Sequence, residues 1–197
     1  GMVDDAHALL NNSNADIWVV QKDTQGPYAE ASSIKDDAVR AVRGMPGVAR
    51  AANVTYFTMQ VQAPDGSDTR AMVVGIEVGQ PGEPTYLLAG RQITRGHYEA
   101  IAQRMVSSGG DPMVLIAIKD AQEAQFLKDN DAILNDRART AANPAFNRPG
   151  VPGLLEAVQA SQSNSHNVNA ILVQVEQDAD SESVAAPIRR WKHLQVY

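Results

Sequence analysis

Val168–Tyr197 reads VNAILVQVEQDADSESVAAPIRRWKHLQVY, and its reading decides the fold. Val168–Glu176 alternates with the period of a strand. Asp178–Ser183 is acidic and serine-bearing, the composition of a helix start. Val184, Ile188 and Trp191 then recur at spacings of four and three, one apolar face of a helix. Leu194–Tyr197 closes as a strand. Pro187 would cost ~3 kcal/mol in an ordinary helix interior, so the helix is expected to begin late, near Ser183.

The other end of the chain carries the same unit. Ala15–Gln21 (ADIWVVQ) is a β-branched and aromatic run, a buried strand. Ser33–Arg43 is predicted as a helix, with Ser33 and Asp36 as a capping box and Ile34, Ala38, Ala41 and Val42 on one face. Gly44 stands where a C-terminal cap belongs, and Pro46 follows. Val48–Ala63 is a strand with Val54, Tyr56 and Thr58 as its core side, Asp65-Gly66 a hairpin turn, and Arg70–Val78 the return strand. Two β-α-β units at the chain ends, with other material between, imply an α+β fold: one two-layer body with a smaller mixed α/β subdomain inserted. The expected division is 1–14 as a separate short helix, 15–80 with 168–197 as the main body, and 81–167 as the insertion. The two ends of the chain should then meet in one sheet.

Within the insertion, Gln80–Pro84 is a Pro/Gly loop and Thr94–Arg104 reads as a helix around Tyr98 and Ile101. Ser107–Pro112 is a loop of small residues, and Met113–Ile118 a strand. Asp120 and Glu123 read as a second capping box. Ala124, Leu127, Leu134, Ala138 and Ala141 would then form one long helix to about residue 142, stopped at Asn143-Pro144. Leu154, Leu155 and Val158 mark a short helix, and Ser161–Asn167 a polar loop.

Composition bounds the function. The 197 residues are 44% hydrophobic and 20% charged, which suits a folded domain rather than a disordered one. A net charge of −6 argues against nucleic acid as the main partner. With no cysteine, disulfides, thiolate metal sites and cysteine nucleophiles are excluded. The longest strongly apolar run, Met113–Ile118, falls far short of the ~20 residues that span a bilayer. Gly1 before Met2 reads as the scar of a cleaved tag.

No residue constellation announces chemistry. His7, His97, His166 and His193 are isolated, with neither H-E-x-x-H nor H-x-H, so no metal site is expected. Ser107-Ser108-Gly109-Gly110-Asp111 lacks the glycine two residues before a serine that a nucleophile elbow needs, and a strand follows where a helix should. Nothing places Ser107 or Ser108 beside His97 and Asp111. No Gly-rich phosphate loop follows a strand, so no nucleotide or other cofactor is expected. Asp129-Asn130-Asp131 lacks the glycine and closing glutamate of a calcium loop. Arg189–His193 (RRWKH) suits the last turn of a helix, where the macrodipole favours cations, and a lipid-headgroup contact is its second reading. The absence of any acid, base or ligand cluster favours a binding or mechanical module over an enzyme.

The ADIWVVQ strand, Gly26-Pro27, the Pro46-Gly47-Val48 turn, Gly90–Thr94 (GRQIT), Met105–Met113 (MVSSGGDPM), Asp120–Arg139 and Arg189–Tyr197 occur in an order that resembles the extracytoplasmic core domain of MacB-like ABC transporter permeases, the DevC-like branch above all. The resemblance covers nearly the whole chain. It implies a porter-like subdomain built from both chain ends, and a domain lying between the first and second transmembrane helices of a permease in the bacterial inner membrane, facing the periplasm. It implies as partners a HlyD-type adaptor, a cytoplasmic ATPase and a second permease copy, with Ser107, Ser108, Gly109, Gly110 and Asp111 on the adaptor side. The role would be transmission of ATPase-driven movement, without catalysis. One departure stands out: where such permeases carry a further β-hairpin segment, Arg104 here runs directly into Met105. Rival readings are a periplasmic sensor or a lipid- or lipoprotein-binding module, which needs a deep apolar pocket, and a small serine hydrolase, which needs Ser108.

Overall fold

The computed structural model describes residues 12–24, 32–62, 65–85, 100–106, 111–125, 130–148, 150–155, 158 and 167–197. Its strands are β1 (Ile17–Gln21), β2 (Ile34–Lys35), β3 (Val48–Gln62), β4 (Asp68–Ile76), β5 (Ala100–Val106), β6 (Pro112–Ala117), β7 (Asn167–Val168), β8 (Ala170–Val175) and β9 (Leu194–Val196). Its helices are α1 (Ala38–Arg43), α2 (Ile118–Gln125), α3 (Asn130–Ala142) and α4 (Ser181–Arg189). Seven strands form one sheet in the order β5-β6-β4-β3-β8-β1-β9, and β2 pairs with β7 in a separate short ladder.

The two end units are interleaved. A strand-helix-strand unit runs its two strands parallel, and the crossover leaves room for a strand between them. Here β8 occupies the gap between β1 and β3, antiparallel to both, and β1 occupies the gap between β8 and β9. This is a split β-α-β arrangement. Central position explains composition: Ile17–Val20 and Ala170–Val173 are buried at every residue, because neighbouring side chains point into two different cores. Ile17, Val19, Ile171 and Val173 meet Val39 and Val42 of α1 and Val184, Ala185 and Ile188 of α4 on one face. Trp18, Val20, Ala170 and Leu172 join Val54, Tyr56, Met72, Val74 and Leu115 on the other.

β3 carries the sheet onward. Its first half pairs with β8, from Val48↔Val175 to Val54↔Ala170. Its second half pairs with β4, from Thr55↔Gly75 to Gln62↔Asp68. β4 then takes β6 in parallel, and β5 lies antiparallel outside β6. At Asp65-Gly66 the turn is as expected, with Gly66 at φ +83°. On β5 the register shifts between Gln103 and Val106, so Arg104 and Met105 are additional residues opposite Met113 and Pro112. The irregularity falls where the resemblance places an extra segment.

Several local expectations are corrected. The first helix begins at Ala38, not Ser33; Ile34 and Lys35 are instead a strand paired with Val168 and Asn167. No capping box forms there: Asp37 is the N-cap without a side-chain bond, and the Ser33 amide donates to Gln21 Oε1. Gly44 ends the helix at φ −82°, and the left-handed residue is Gly47, at φ +83°. Thr58 is exposed, not core. Residues 100–104, expected at the end of a helix, are strand. Asp120 lies inside the first turn of α2 and not ahead of it, since the strand β6 runs directly into the helix at Ile118. The expected long helix is α2 and α3, with 126–129 between them outside the described residues. The expected strand 168–176 breaks at Asn169. α4 starts at Ser181, earlier than expected, and contains Pro187. Asp180 caps it by accepting from the Ser183 amide. The expected short helix 1–14 falls almost wholly outside the described residues.

Candidate functional site

Three features of the described residues bear on function. The first is where the first and last strands meet. Because β1 and β9 are antiparallel edge neighbours, the start of one lies against the end of the other. The Trp18 amide donates to the Tyr197 carbonyl and the Tyr197 amide to the Trp18 carbonyl, both at 2.8 Å. Further along the same strand pair, Gln195 Oε1 accepts from the Asp23 amide at 3.0 Å.

The second feature is a buried polar hub. Asn169 interrupts the apolar run of β7 and β8 and is 1% exposed. Its backbone amide donates to the Val54 carbonyl, and its Oδ1 accepts from the Tyr56 amide at 2.7 Å, so the side chain does the work of the next ladder residue. Its Nδ2 donates to the Ser32 carbonyl at 2.7 Å. From α2, Gln125 Nε2 reaches Asn169 Oδ1 at 3.0 Å. Thr55 Oγ1 lies between Gln125 Oε1 and Asn169 Oδ1 and can donate its one proton to either. One turn earlier, Gln122 Nε2 donates to the Asn167 carbonyl at 3.0 Å and to Asp36 Oδ2 at 3.3 Å. Asn53 Nδ2 donates to the Asp36 carbonyl. Through these bonds α2, from the middle of the chain, is attached to both end units. Satisfied polar groups at such a junction fix one relative placement, because any shift strands a buried donor or acceptor. Gln122 Oε1 and Asn53 Oδ1 are buried with no hydrogen-bond partner among the described residues. Next to the hub α2 packs at very close range: a Cβ on Gly75 would lie 2.3 Å from the Ala121 Cβ.

The third feature is the mouth of the loop singled out in the sequence. Ser107–Gly110 lie outside the described residues. Asp111 holds Arg70 through both carboxylate oxygens, at 2.9 and 3.0 Å from Nε. The carboxylate raises the affinity of the guanidinium for its proton, by hydrogen bond first and charge second. Arg70 also lines, with Thr58, Met59 and Gln60, an open groove of about 280 Å³. Its breadth and shallow walls are unlike the enclosed apolar pockets that hold small ligands.

Of the residues weighed for chemistry, His7, His97 and His166 lie outside the described residues, and His193 is exposed. Asp111 is engaged by Arg70. Among the described residues no three His, Asp or Glu converge on a metal position. Arg189 pairs with Glu182 on its own helix. Among the described residues no helix is long and apolar enough to cross a membrane. The hub was missed in the sequence; its signal was Asn169 alone within an apolar run, since a polar residue buried in a central strand must have partners.

No family model matches the chain, and no curated protein is similar enough to match. Two solved structures share its fold. One is the extracellular domain of the noncanonic ABC-type transporter YknZ from Gram-positive bacteria, 12% identical, with a TM-score of 0.50, covering 92% of this chain and 98% of that one. The other is the periplasmic region of MacB from Actinobacillus actinomycetemcomitans, 9% identical, with a TM-score of 0.50, covering 96% of this chain and 93% of that one. The fold is therefore a mixed α+β fold shared with the extracellular domain of YknZ and the periplasmic region of MacB.

Proposed function

We propose that this chain is the periplasm-facing domain of an ABC-type export permease of the bacterial inner membrane. It transmits the movement of a cytoplasmic ATPase to a HlyD-type adaptor and the cargo passage, and catalyses nothing. The observation that carries this reading is the reciprocal Trp18–Tyr197 pairing, which brings the start of β1 and the end of β9 to one corner of the sheet. A body attached to two membrane helices at a single corner swings as a lever when those helices move. The likeness of its fold to two transporter domains supports the same reading.

In this reading 15–80 and 168–197 form the porter-like subdomain and 81–167 the insertion. The hub around Asn169 transfers displacement between them, because α2 belongs to the insertion while its partners Asn169, Thr55 and Asp36 belong to the end units. Ser107–Asp111 contacts the adaptor, with Asp111 held in place by Arg70.

The test is on the protein encoded by the natural reading frame. Apolar stretches of ~20 residues are expected directly before Val3 and after Tyr197. A cysteine placed at exposed Asp178 should react with a membrane-impermeant maleimide from the periplasmic side of intact cells. A reading frame without such stretches, or a label that enters only after lysis, overturns the assignment.

A further inference from the structure

Among the described residues the seven-stranded sheet manages two of its exposed edges and leaves a third stretch without a paired strand. At one end β9 is three residues long, and Gln195 spends its side chain on the Asp23 amide. At the other, β5 carries Arg104 and an irregular register. Short strands, charges and bulges are the devices that stop an edge from pairing with another chain.

The open stretch is the second half of β3, on the side away from β4. The Val54 carbonyl and the Tyr56 amide point to that side, since both bond to Asn169. Backbone groups of alternate residues share a direction, so those of Thr58, Gln60 and Gln62 point there too. β8 ends its pairing at Ala170, opposite Val54, and goes no further along β3. Among the described residues nothing meets these groups; Thr58, Met59, Gln60 and Gln62 are exposed, Met59 at 37%. The sequence devices are missing: Ala51–Gln62 (AANVTYFTMQVQ) contains no charge, no proline and no glycine.

We infer that this edge of β3 is an interaction surface and that its occupant is the same edge of a second copy of this chain. An antiparallel pair joins like edges about a two-fold axis, which makes the contact isologous. The segment pairs with itself without like-charge repulsion. The tips of the two hairpins, with Asp65 and Asp68, then point in opposite directions. With the axis at Gln60, the Gln60 backbones bond to one another and Thr58 bonds to Gln62 of the second copy. Met59 then faces Val61 of the second copy across a non-hydrogen-bonded site, which removes both from water. The groove lined by Thr58, Met59, Gln60 and Arg70 borders this same stretch of β3. This pairing does not depend on the membrane role proposed above.

The test uses the 197-residue chain. Sedimentation over about 10 μM to 1 mM brackets the affinity of so small an interface. A reversible monomer–dimer equilibrium is expected. Gln60→Pro removes one outward amide per copy, at an edge position where proline is tolerated, and should weaken dimerisation at least tenfold with unchanged circular dichroism. Gln60→Lys, which places two cations side by side, should do the same if the proline variant misfolds. The chain has no cysteine, so Gln60→Cys is a clean reporter: it should form a disulfide-linked dimer under mild oxidation, while Asp178→Cys does not. A chain that stays monomeric throughout overturns the inference. So does a dimer that both Gln60 variants leave intact, or equal cross-linking of the two cysteine variants. Binding of an extended segment from another protein to a monomer also overturns the second copy as occupant.

Discussion

Asn169 Oδ1 accepts the Tyr56 backbone amide at 2.7 Å, so a side chain stands in for the residue that would continue β8 along β3. The substitution of side chain for backbone ends the ladder and frees the rest of β3 for other partners. It also places a side-chain amide with donor and acceptor groups at the centre of the molecule, where the segment before β2 and helix α2 both use it.

Asn169→Ala leaves the Tyr56 amide, the Ser32 carbonyl and the Gln125 amide without this partner in a buried site. At roughly 1 kcal/mol per lost bond, the sum is about 3 kcal/mol. For a chain of this size that lowers the melting temperature by roughly 6–12 °C. Asn169→Asp should be no better, because a carboxylate cannot donate to Ser32 and is buried as a charge. Calorimetry checks both; a fall of under 2 °C for the alanine variant would show that the hub is not structural.

Gly75→Ala drives a methyl group into the Ala121 Cβ, and the backbone at Ile118 Cα is only 3.2 Å from the same point. Overpacking of this kind costs about 1–3 kcal/mol. Ala121→Gly removes the first obstacle, so the double variant should recover much of the loss. Urea denaturation of the four-member cycle measures the coupling, and strict additivity would contradict the close approach of α2 to β4.

The two N-caps should respond differently. Asp180 accepts from the Ser183 amide, and Asp180→Ala is expected to cost about 1 kcal/mol. Asp37 makes no such bond, so Asp37→Ala should stay within about 0.5 kcal/mol, as surface substitutions do. Equal effects in chemical denaturation would mean that the cap assignment is wrong.

Asp65 tests the hairpin tip by pH. Its Oδ1 accepts from the Ser67 hydroxyl at 2.6 Å and the Ser67 amide at 2.9 Å. These bonds, the hydroxyl first, hold its carboxyl below the ordinary aspartate range. A lowered folded-state value means that the turn gains from the ionised form above the unfolded value and loses that gain as pH falls through the folded one. Ser67→Ala should move the Asp65 titration upward, toward the ordinary value, in a carbon-13 carboxylate titration. A titration that does not move would remove Ser67 as the cause.

The sequence by itself determined what runs and repeats can carry. Ile17–Val20 is apolar at consecutive positions, and only a strand covered on both faces buries such a run, so β1 was legible as a buried strand; β8 was legible as a strand, but its alternation did not reveal the burial of Ala170–Val173 on both faces. The β3–β4 hairpin was legible because Asp-Gly at a turn is a local constraint. Helix starts were not: Ser33–Asp36 has capping chemistry, yet pairing of Ile34 with Val168, 134 residues away, claims that backbone first. The same holds for 100–104, where β6 supplies a partner that the local sequence does not reveal. Only the tertiary structure decided how the end units interleave, which polar residues of β3, β8 and α2 converge, and where an edge stays open. Each depends on contacts between residues far apart in the chain, and hydrogen bonding across such distances leaves no periodic mark in the sequence.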